Sequence, residues 1–311
     1  MTKILVTRQL PGNYLNGHEN FDIQIFSGNG DIRQWLLSNI GDADGILVTL
    51  NEKINREIID RGIKLKVIST YSVGFDHIDV DYAKSRGITV TYTPEVLTEA
   101  TADLIFGIML AAARNIVSGD NLIRHNGWQS GWKPGFMLGS EVYGKTLGII
   151  GMGRIGKAVL KRSTGFDMKA IYYSRNIHNV DADYVDLDYL LSESDFVVIA
   201  LDLNNETFHF MNYERISRMK KSAFLINGTR GKVVNEKDLI RAMENHMIRG
   251  AALDVFENEP VNKSNPLTSM ENAVLTPHLG SATYETRDKM AETAVTNLFN
   301  VLEGKKPLYK L

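Results

Sequence analysis

The chain has 311 residues, 35 Lys and Arg against 37 Asp and Glu, a formal charge of −2, and no cysteine. Without cysteine there are no disulfides, no thiolate catalysis and no Cys-ligated zinc or iron–sulfur site, and the balanced charge argues against a protein built to neutralise nucleic-acid phosphate. At this length a single core has usually stopped growing, so two domains are expected.

Met1-Thr2-Lys3-Ile4-Leu5-Val6 carries one positive charge on a strand-like run, and Asn13, Asn16 and Glu19 follow too soon for a signal-peptide core. Buried strands are predicted over 3–6, 21–26, 45–49, 66–70 and 89–92, with helices over 31–40, 55–61 and 79–86 between them. Such alternation means a parallel sheet with helices on both faces. After Pro94 one helix is predicted from 98 to about 117, with Thr98 as a cap and Glu99 and Asp103 in its first turn. It is apolar nearly all round and should be buried. Its apolar stretch is far shorter than the roughly 20 residues a membrane span needs. A cytoplasmic protein without membrane association is expected. A loop over 119–144 carries Trp128 and Trp132. Further strands are predicted at 146–150, 169–173, 196–201, 223–226, 250–254 and 273–276, and a last amphipathic helix at about 283–302.

Gly151-Met152-Gly153-Arg154-Ile155-Gly156 follows one of these strands and opens a helix. A G-x-G-x-x-G run is weak by itself and strong in that context. Gly151 allows the tight turn, Gly153 lets the backbone approach a pyrophosphate, and Gly156 lets the helix pack on the strand. The pyrophosphate is expected on the free N–H groups and positive dipole end of the helix. The fold class expected is α/β, with two Rossmann-like, doubly wound parallel-sheet domains.

The next strand ends at Tyr173-Ser174-Arg175-Asn176. NAD-binding domains usually place an acidic residue there, about 20 residues past the motif, on the adenosine ribose. Ser174 and Arg175 instead suit a 2′-phosphate, which points to NADP(H) as the preferred cofactor with NAD(H) also possible. The bland alternative is an exposed Arg at a strand end.

Three segments at later strand ends carry the chemistry: Asn227-Gly228-Thr229-Arg230-Gly231, then Asp254-Val255-Phe256-Glu257-Asn258-Glu259-Pro260, then Thr276-Pro277-His278-Leu279-Gly280. Carboxyl ends of strands in an open α/β sheet face the ligand crevice. A cation, a carboxylate and a His near one dinucleotide are what reduction of a 2-keto acid needs. The cation holds the substrate carboxylate, the imidazole protonates the carbonyl oxygen, and a carboxylate orients the imidazole and favours its charged form. Glu257 and Glu259 compete for that last role on the residues alone. No metal-ligand cluster stands out.

With these segments the chain resembles the D-isomer-specific 2-hydroxyacid dehydrogenase family over nearly its whole length. Tyr71-Ser72-Val73-Gly74-Phe75-Asp76-His77-Ile78-Asp79 is similar to that family's substrate loop, and Leu97-Thr98-Glu99-Ala100-Thr101-Ala102-Asp103 to its interdomain helix start. The resemblance implies catalytic roles for Arg230, Glu259 and His278, and a substrate site at Leu50, Val73, Gly74 and Arg230. It puts Asp254 on the nicotinamide carboxamide. Further cofactor contacts are implied from Thr101, Arg154, Ile155, Asn176, Leu201, Thr207, Thr229 and Gly280, and from His278 itself. It implies a substrate domain of residues 1–98 and 286–311, a cofactor domain of 99–285, closure of the two around substrate, and a homodimer. Trp132-Lys133-Pro134 together with Ser174-Arg175 resembles the glyoxylate/hydroxypyruvate reductase branch. One departure is Asp202, where relatives often carry Pro.

The activity expected is NADPH-preferring reduction of glyoxylate or hydroxypyruvate to the D-2-hydroxy acid. The alternatives are a larger substrate, such as 2-ketogluconate, phenylpyruvate or phosphoglycerate, and a non-enzymatic dinucleotide-binding regulator on the same fold.

Overall fold

The computed structural model describes all 311 residues. The chain first lays down β1 (Thr2–Val6), β2 (Phe21–Ile25), α1 (Ile32–Asn39), β3 (Gly45–Val48), α2 (Arg56–Arg61), β4 (Val67–Thr70), α3 (Val80–Ser85) and β5 (Thr89–Thr91). It continues through α4 (Thr98–Ala113), α5 (Ile116–Arg124), β6 (Thr146–Ile150), α6 (Arg154–Ser163), β7 (Lys169–Tyr173), β8 (Asp183–Tyr184), α7 (Leu187–Glu193) and β9 (Phe196–Ile199). Next come α8 (Tyr213–Ser217), β10 (Phe224–Asn227), α9 (Glu236–Glu244), β11 (Gly250–Leu253), β12 (Ala273–Leu275) and α10 (Tyr284–Leu302). Two compact units result: Met1–Leu97 with Ala282–Leu311, and Thr98–Ser281. The Thr283 hydroxyl caps α10 by accepting from Thr286 N.

The first unit holds a five-stranded parallel sheet in the order β2-β1-β3-β4-β5. Strands β3 and β4 are wholly buried Gly-Ile-Leu-Val and Val-Ile-Ser-Thr runs, the signature of a sheet covered on both faces. The C-terminal helix α10 is fastened to this sheet by polar contacts: Ser69 Oγ donates to Ala294 O at 2.8 Å, Tyr71 OH to Arg287 O at 2.8 Å and Asn297 Nδ2 to Tyr92 O at 3.1 Å. The strand order reverses between β1 and β3, so the loops after those strands flank this sheet's crevice.

The second unit holds a seven-stranded parallel sheet in the order β12-β11-β10-β9-β6-β7-β8, with its switch point between β6 and β9. Register aligns its carboxyl edge. Ile150 pairs with Tyr173 and Ile199, Asn227 with Ile199 and Leu253, and Leu253 with Leu275. The loops beginning at Gly151, Ser174, Ala200, Gly228, Asp254 and Thr276 therefore leave the sheet along one edge.

The helix expected over 98–117 is two helices. Asn115 adopts the left-handed conformation, φ 54°, which breaks the i to i−4 ladder after Ala113, and its Nδ2 donates to Met137 O at 3.2 Å. Asn accepts this backbone more readily than most residues. Only α4 is a core helix, burying Ala102, Ile105, Phe106, Ile108, Met109, Ala112 and Ala113. Its Glu99 and Asp103 pair with Arg162 of α6 at 2.8 and 2.6 Å. The start of the expected 119–144 loop is the second half of α5, which has no buried residue. Apolar periodicity ran through both helices and hid the break. The two-residue edge strand β8 was not foreseen, being too short to show a period. No single helix is long and apolar enough to cross a membrane.

Candidate active site

The glycine turn satisfies its three separate demands. Gly151 has φ 99°, and a Cβ there would lie 2.5 Å from Ala200 O. Gly153 opens α6 as its N-cap with nothing within 4 Å of a would-be Cβ, leaving room for a ligand against the backbone. No side chain caps this helix start and no acidic residue lies in its first turn, so the N–H groups and the positive dipole end are uncompensated, as a pyrophosphate requires. Arg154 is exposed and Ile155 half-buried in that first turn. At Gly156 a Cβ would stand 2.2 Å from Gly151 O. The two glycines should therefore fail differently. Gly156→Ala pushes helix from strand and should lower stability by about 1–3 kcal/mol. Gly153→Ala should leave the melting temperature near wild type and weaken dinucleotide binding instead. Thermal melts beside cofactor titrations separate the two.

On the far side of the turn, Ser174 is buried and its hydroxyl donates to Asn176 O, while Arg175 and Asn176 are exposed. The Arg175 guanidinium lies 3.4 Å from Glu206. The 202–207 stretch is a tight turn: Asn204 Oδ1 accepts from Glu206 N and Thr207 N, and Thr207 Oγ1 donates to Asp202 O at 2.6 Å. Leu201, half-buried, closes the space beside Gly151. Asp202 is exposed.

His278 and Glu259 meet. Nδ1 lies 2.7 Å from Glu259 Oε2, and a carboxylate can only accept, so Nδ1 carries the proton and Nε2 is left for substrate. Glu259 Oε1 accepts Phe256 N–H at 3.0 Å, which fixes the carboxylate. Burial pushes the Glu259 carboxyl up. The hydrogen bond and charge of His278, the Phe256 N–H and the Arg230 charge outweigh it and hold the carboxyl below its ordinary range. Glu257 is occupied elsewhere, 2.9 Å from His209 Nε2 and accepting Glu236 N–H at 2.8 Å. His209 lies in the segment before α8 with φ 51°.

Arg230 follows β10 in a loop shaped by Asn227. The Asn227 amide donates to Arg230 O at 2.9 Å and accepts Thr229 N–H at 3.1 Å. The Arg230 guanidinium donates to Thr229 O at 2.9 Å. Close packing surrounds this loop. A Cβ on Gly228 would meet Ile105 Cγ1 at 2.5 Å, and one on Gly231 would meet Phe256 O at 1.9 Å.

Asp254 does more than the resemblance implied. It is fully buried, and Oδ1 accepts Thr276 Oγ1 at 2.6 Å and Leu279 N at 2.7 Å while Oδ2 accepts Gly280 N at 2.8 Å. Its backbone carbonyl accepts His278 N at 2.9 Å. These bonds brace His278 in a left-handed backbone, φ 55°, a conformation that a non-glycine residue keeps only when its surroundings impose it. Burial raises the Asp254 carboxyl above its ordinary value, against the opposing pull of those donors and of the His278 charge. Thr101 Oγ1 adds a bond to Gly280 O at 3.1 Å, tying α4 to the same loop.

The expected substrate residues Leu50, Val73 and Gly74 all lie in the first unit. Leu50 follows β3, in a turn anchored by buried Glu52, which accepts Thr7 Oγ1 at 2.9 Å and both Thr49 N and Thr49 Oγ1 at 2.8 Å. Val73 and Gly74 follow β4. Ser72 Oγ donates to Gly74 O at 2.6 Å and lies 2.7 Å from Thr70 Oγ1, which also meets His77 Nε2 at 3.0 Å. Glu52, Thr70, Ser72 and Asn227 support site loops, and sequence reading missed all four. The side-chain partners of Thr70, Ser72 and Asn227 lie within seven residues, and Glu52 also reaches Thr7 just past β1, so these polar contacts follow the local turn geometry rather than any hydrophobic period.

A family model described as D-isomer specific 2-hydroxyacid dehydrogenase, NAD binding domain, matches residues 106–280. The chain belongs to the D-isomer-specific 2-hydroxyacid dehydrogenase family. Within it the chain sits with the glyoxylate reductases: the one from Thermofilum pendens is 46% identical over 98% of this chain and 93% of its own length. A crystal structure of a Thermus thermophilus protein is 42% identical, covers 100% of both chains and superposes with a TM-score of 0.95. The NADPH-dependent glyoxylate/hydroxypyruvate reductase of Sinorhizobium meliloti, solved with NADP and malonate, is 29% identical over 100% of this chain and 96% of its own, with a TM-score of 0.89. Like its family, this dehydrogenase is an NAD(P)-dependent oxidoreductase of a small 2-keto or 2-hydroxy acid. Arg230, Glu259 and His278 all lie in the second unit with the glycine turn.

Proposed function

We propose that the protein reduces glyoxylate and hydroxypyruvate to the D-2-hydroxy acid and prefers NADPH. The observation that carries this reading is the 2.7 Å His278–Glu259 pair, with Arg230 close enough to lower the Glu259 carboxyl, on the carboxyl edge of a dinucleotide-binding sheet. The names of the related reductases support the substrate class. The bound nicotinamide supplies the hydride. Arg230 holds the substrate carboxylate. Charged His278, oriented through Nδ1, gives its Nε2 proton to the carbonyl oxygen, and in the oxidative direction the neutral ring takes it back. Asp254 holds the His278 loop and keeps lone-pair capacity for the carboxamide. Oxidation of NADPH over a panel of keto acids tests the substrate. Turnover should be highest on glyoxylate and hydroxypyruvate, and a clear preference for phenylpyruvate or 2-ketogluconate refutes the small-substrate reading.

The cofactor preference rests on Arg175. Because the Ser174 proton is given to Asn176 O, the guanidinium is the principal ligand for a 2′-phosphate. One charge-assisted hydrogen bond contributes about 1.5–3 kcal/mol, so NADPH should exceed NADH in kcat/KM by at least about tenfold. Ser174→Asp with Arg175→Ala should reverse that order. Equal use of both cofactors by the wild-type protein contradicts the reading.

The same reading includes a homodimer built through the second unit. Its support is the apolar surface that α5 and the following loop leave uncovered, including Ile116, Ile123, Trp128, Leu138 and Trp132, the last 81% exposed. A run of exposed apolar residues along one segment suits an association surface. Sedimentation at micromolar concentration should give twice the chain mass, and a fully active monomer overturns the dimer.

A further inference from the structure

We propose that Glu206 sets how strongly this protein discriminates between the two cofactors, by competing with the adenosine 2′-phosphate for Arg175. The inference rests on the reading of Arg175 as the phosphate ligand. Strands β7 and β9 lie on either side of β6. Arg175, just past β7, and Glu206, in the turn past β9, therefore approach each other from opposite sides of the glycine turn, where their charged groups come within 3.4 Å. The backbone that carries Glu206 is fixed, since Asn204 Oδ1 accepts Glu206 N at 2.9 Å and Thr207 N at 3.1 Å. The neighbouring Ser174 hydroxyl is turned to Asn176 O. A phosphate must draw the guanidinium from Glu206. NADH carries no such group and leaves the pair intact. Glu206 thus lowers the affinity for NADPH and not for NADH, narrowing a preference that Arg175 alone would make steeper.

The pair is exposed on both sides, so its effect is modest. Exposed ion pairs shift equilibria by about two- to fivefold, and salt screens them over about 10 Å at 0.1 M. The test is fluorescence titration of NADPH and NADH at low ionic strength against wild type, Glu206→Gln, Arg175→Ala and the double variant. Gln keeps the side-chain shape, and the Asn204 turn uses only backbone N–H groups at 206 and 207. Glu206→Gln should tighten NADPH about two- to fivefold and leave NADH unchanged. On the Arg175→Ala background the same change should have no effect on NADPH. Equal tightening in both backgrounds means that Glu206 acts by its charge alone and overturns the competition, as does tightening of NADH to the same extent. If Arg175→Ala weakens NADPH while Glu206→Gln changes nothing, the competition fails and the reading of Arg175 stands. If Arg175→Ala itself leaves NADPH binding unaltered, both fail.

Discussion

Replacing His278 by Ala is expected to lower kcat in the reductive direction by about 10²–10⁴-fold, the usual worth of a positioned acid. Dinucleotide binding should persist, since the glycine turn at 151–156 does not depend on the imidazole. The Glu259 partnership has its own signature in pH. In the proposed reaction, reduction uses the charged imidazole, so its rate should fall as pH rises through the deprotonation of that group, and oxidation, which uses the neutral ring, should rise over the same span. The Glu259 carboxyl lies below its ordinary range and so stays ionised across that span. Its negative charge lies beside the ring, with Oε2 2.7 Å from Nδ1. Glu259→Gln keeps an acceptor for Nδ1–H and removes the charge, so the proton is lost more readily and the reductive limb should move to lower pH. A limb that stays in place, or moves upward, shows that Glu259 does not serve His278 despite their 2.7 Å separation.

Gly231→Ala is expected to damage the reaction nearly as severely while touching no catalytic side chain. A Cβ at 231 would stand 1.9 Å from Phe256 O and 2.6 Å from Phe256 Cα, both backbone atoms that cannot rotate away. The two segments must separate. One carries Arg230, and the other supplies the Phe256 N–H that fixes Glu259. Misplacement of about 1 Å at a reacting centre can cost 10²-fold, so kcat/KM should fall by at least about that factor. Stability should fall by about 1–3 kcal/mol, as for other overpacked sites. Titration of the folded variant with dinucleotide should still show binding. Near-normal kcat/KM would mean that the Arg230 and Glu259 segments are not held by their mutual contact.

The local patterns of the sequence determined much of this protein. Runs such as Gly-Ile-Leu-Val and Phe-Val-Val-Ile have to be buried on both faces, so parallel strands alternating with helices followed from hydrophobic pattern alone. The glycine turn was equally legible, because Gly151, Gly153 and Gly156 answer steric needs that lie within one strand–turn–helix unit. Resemblance then supplied the family and the choice of Glu259 over Glu257. Tertiary structure decided the rest. It ended α4 at Ala113, where the apolar periodicity did not stop, because a left-handed Asn115 outweighed the pattern. It gave Glu259 to His278 and Glu257 to the neighbourhood of His209, two carboxylates that are two residues apart in the chain and chemically alike. It also made Asp254 the brace of the His278 loop and put Glu206 beside Arg175. Such pairings join residues that are tens of positions apart, through strand order and register, and the physics that selects them is the satisfaction of buried or charged groups in three dimensions, which no local period in the sequence encodes.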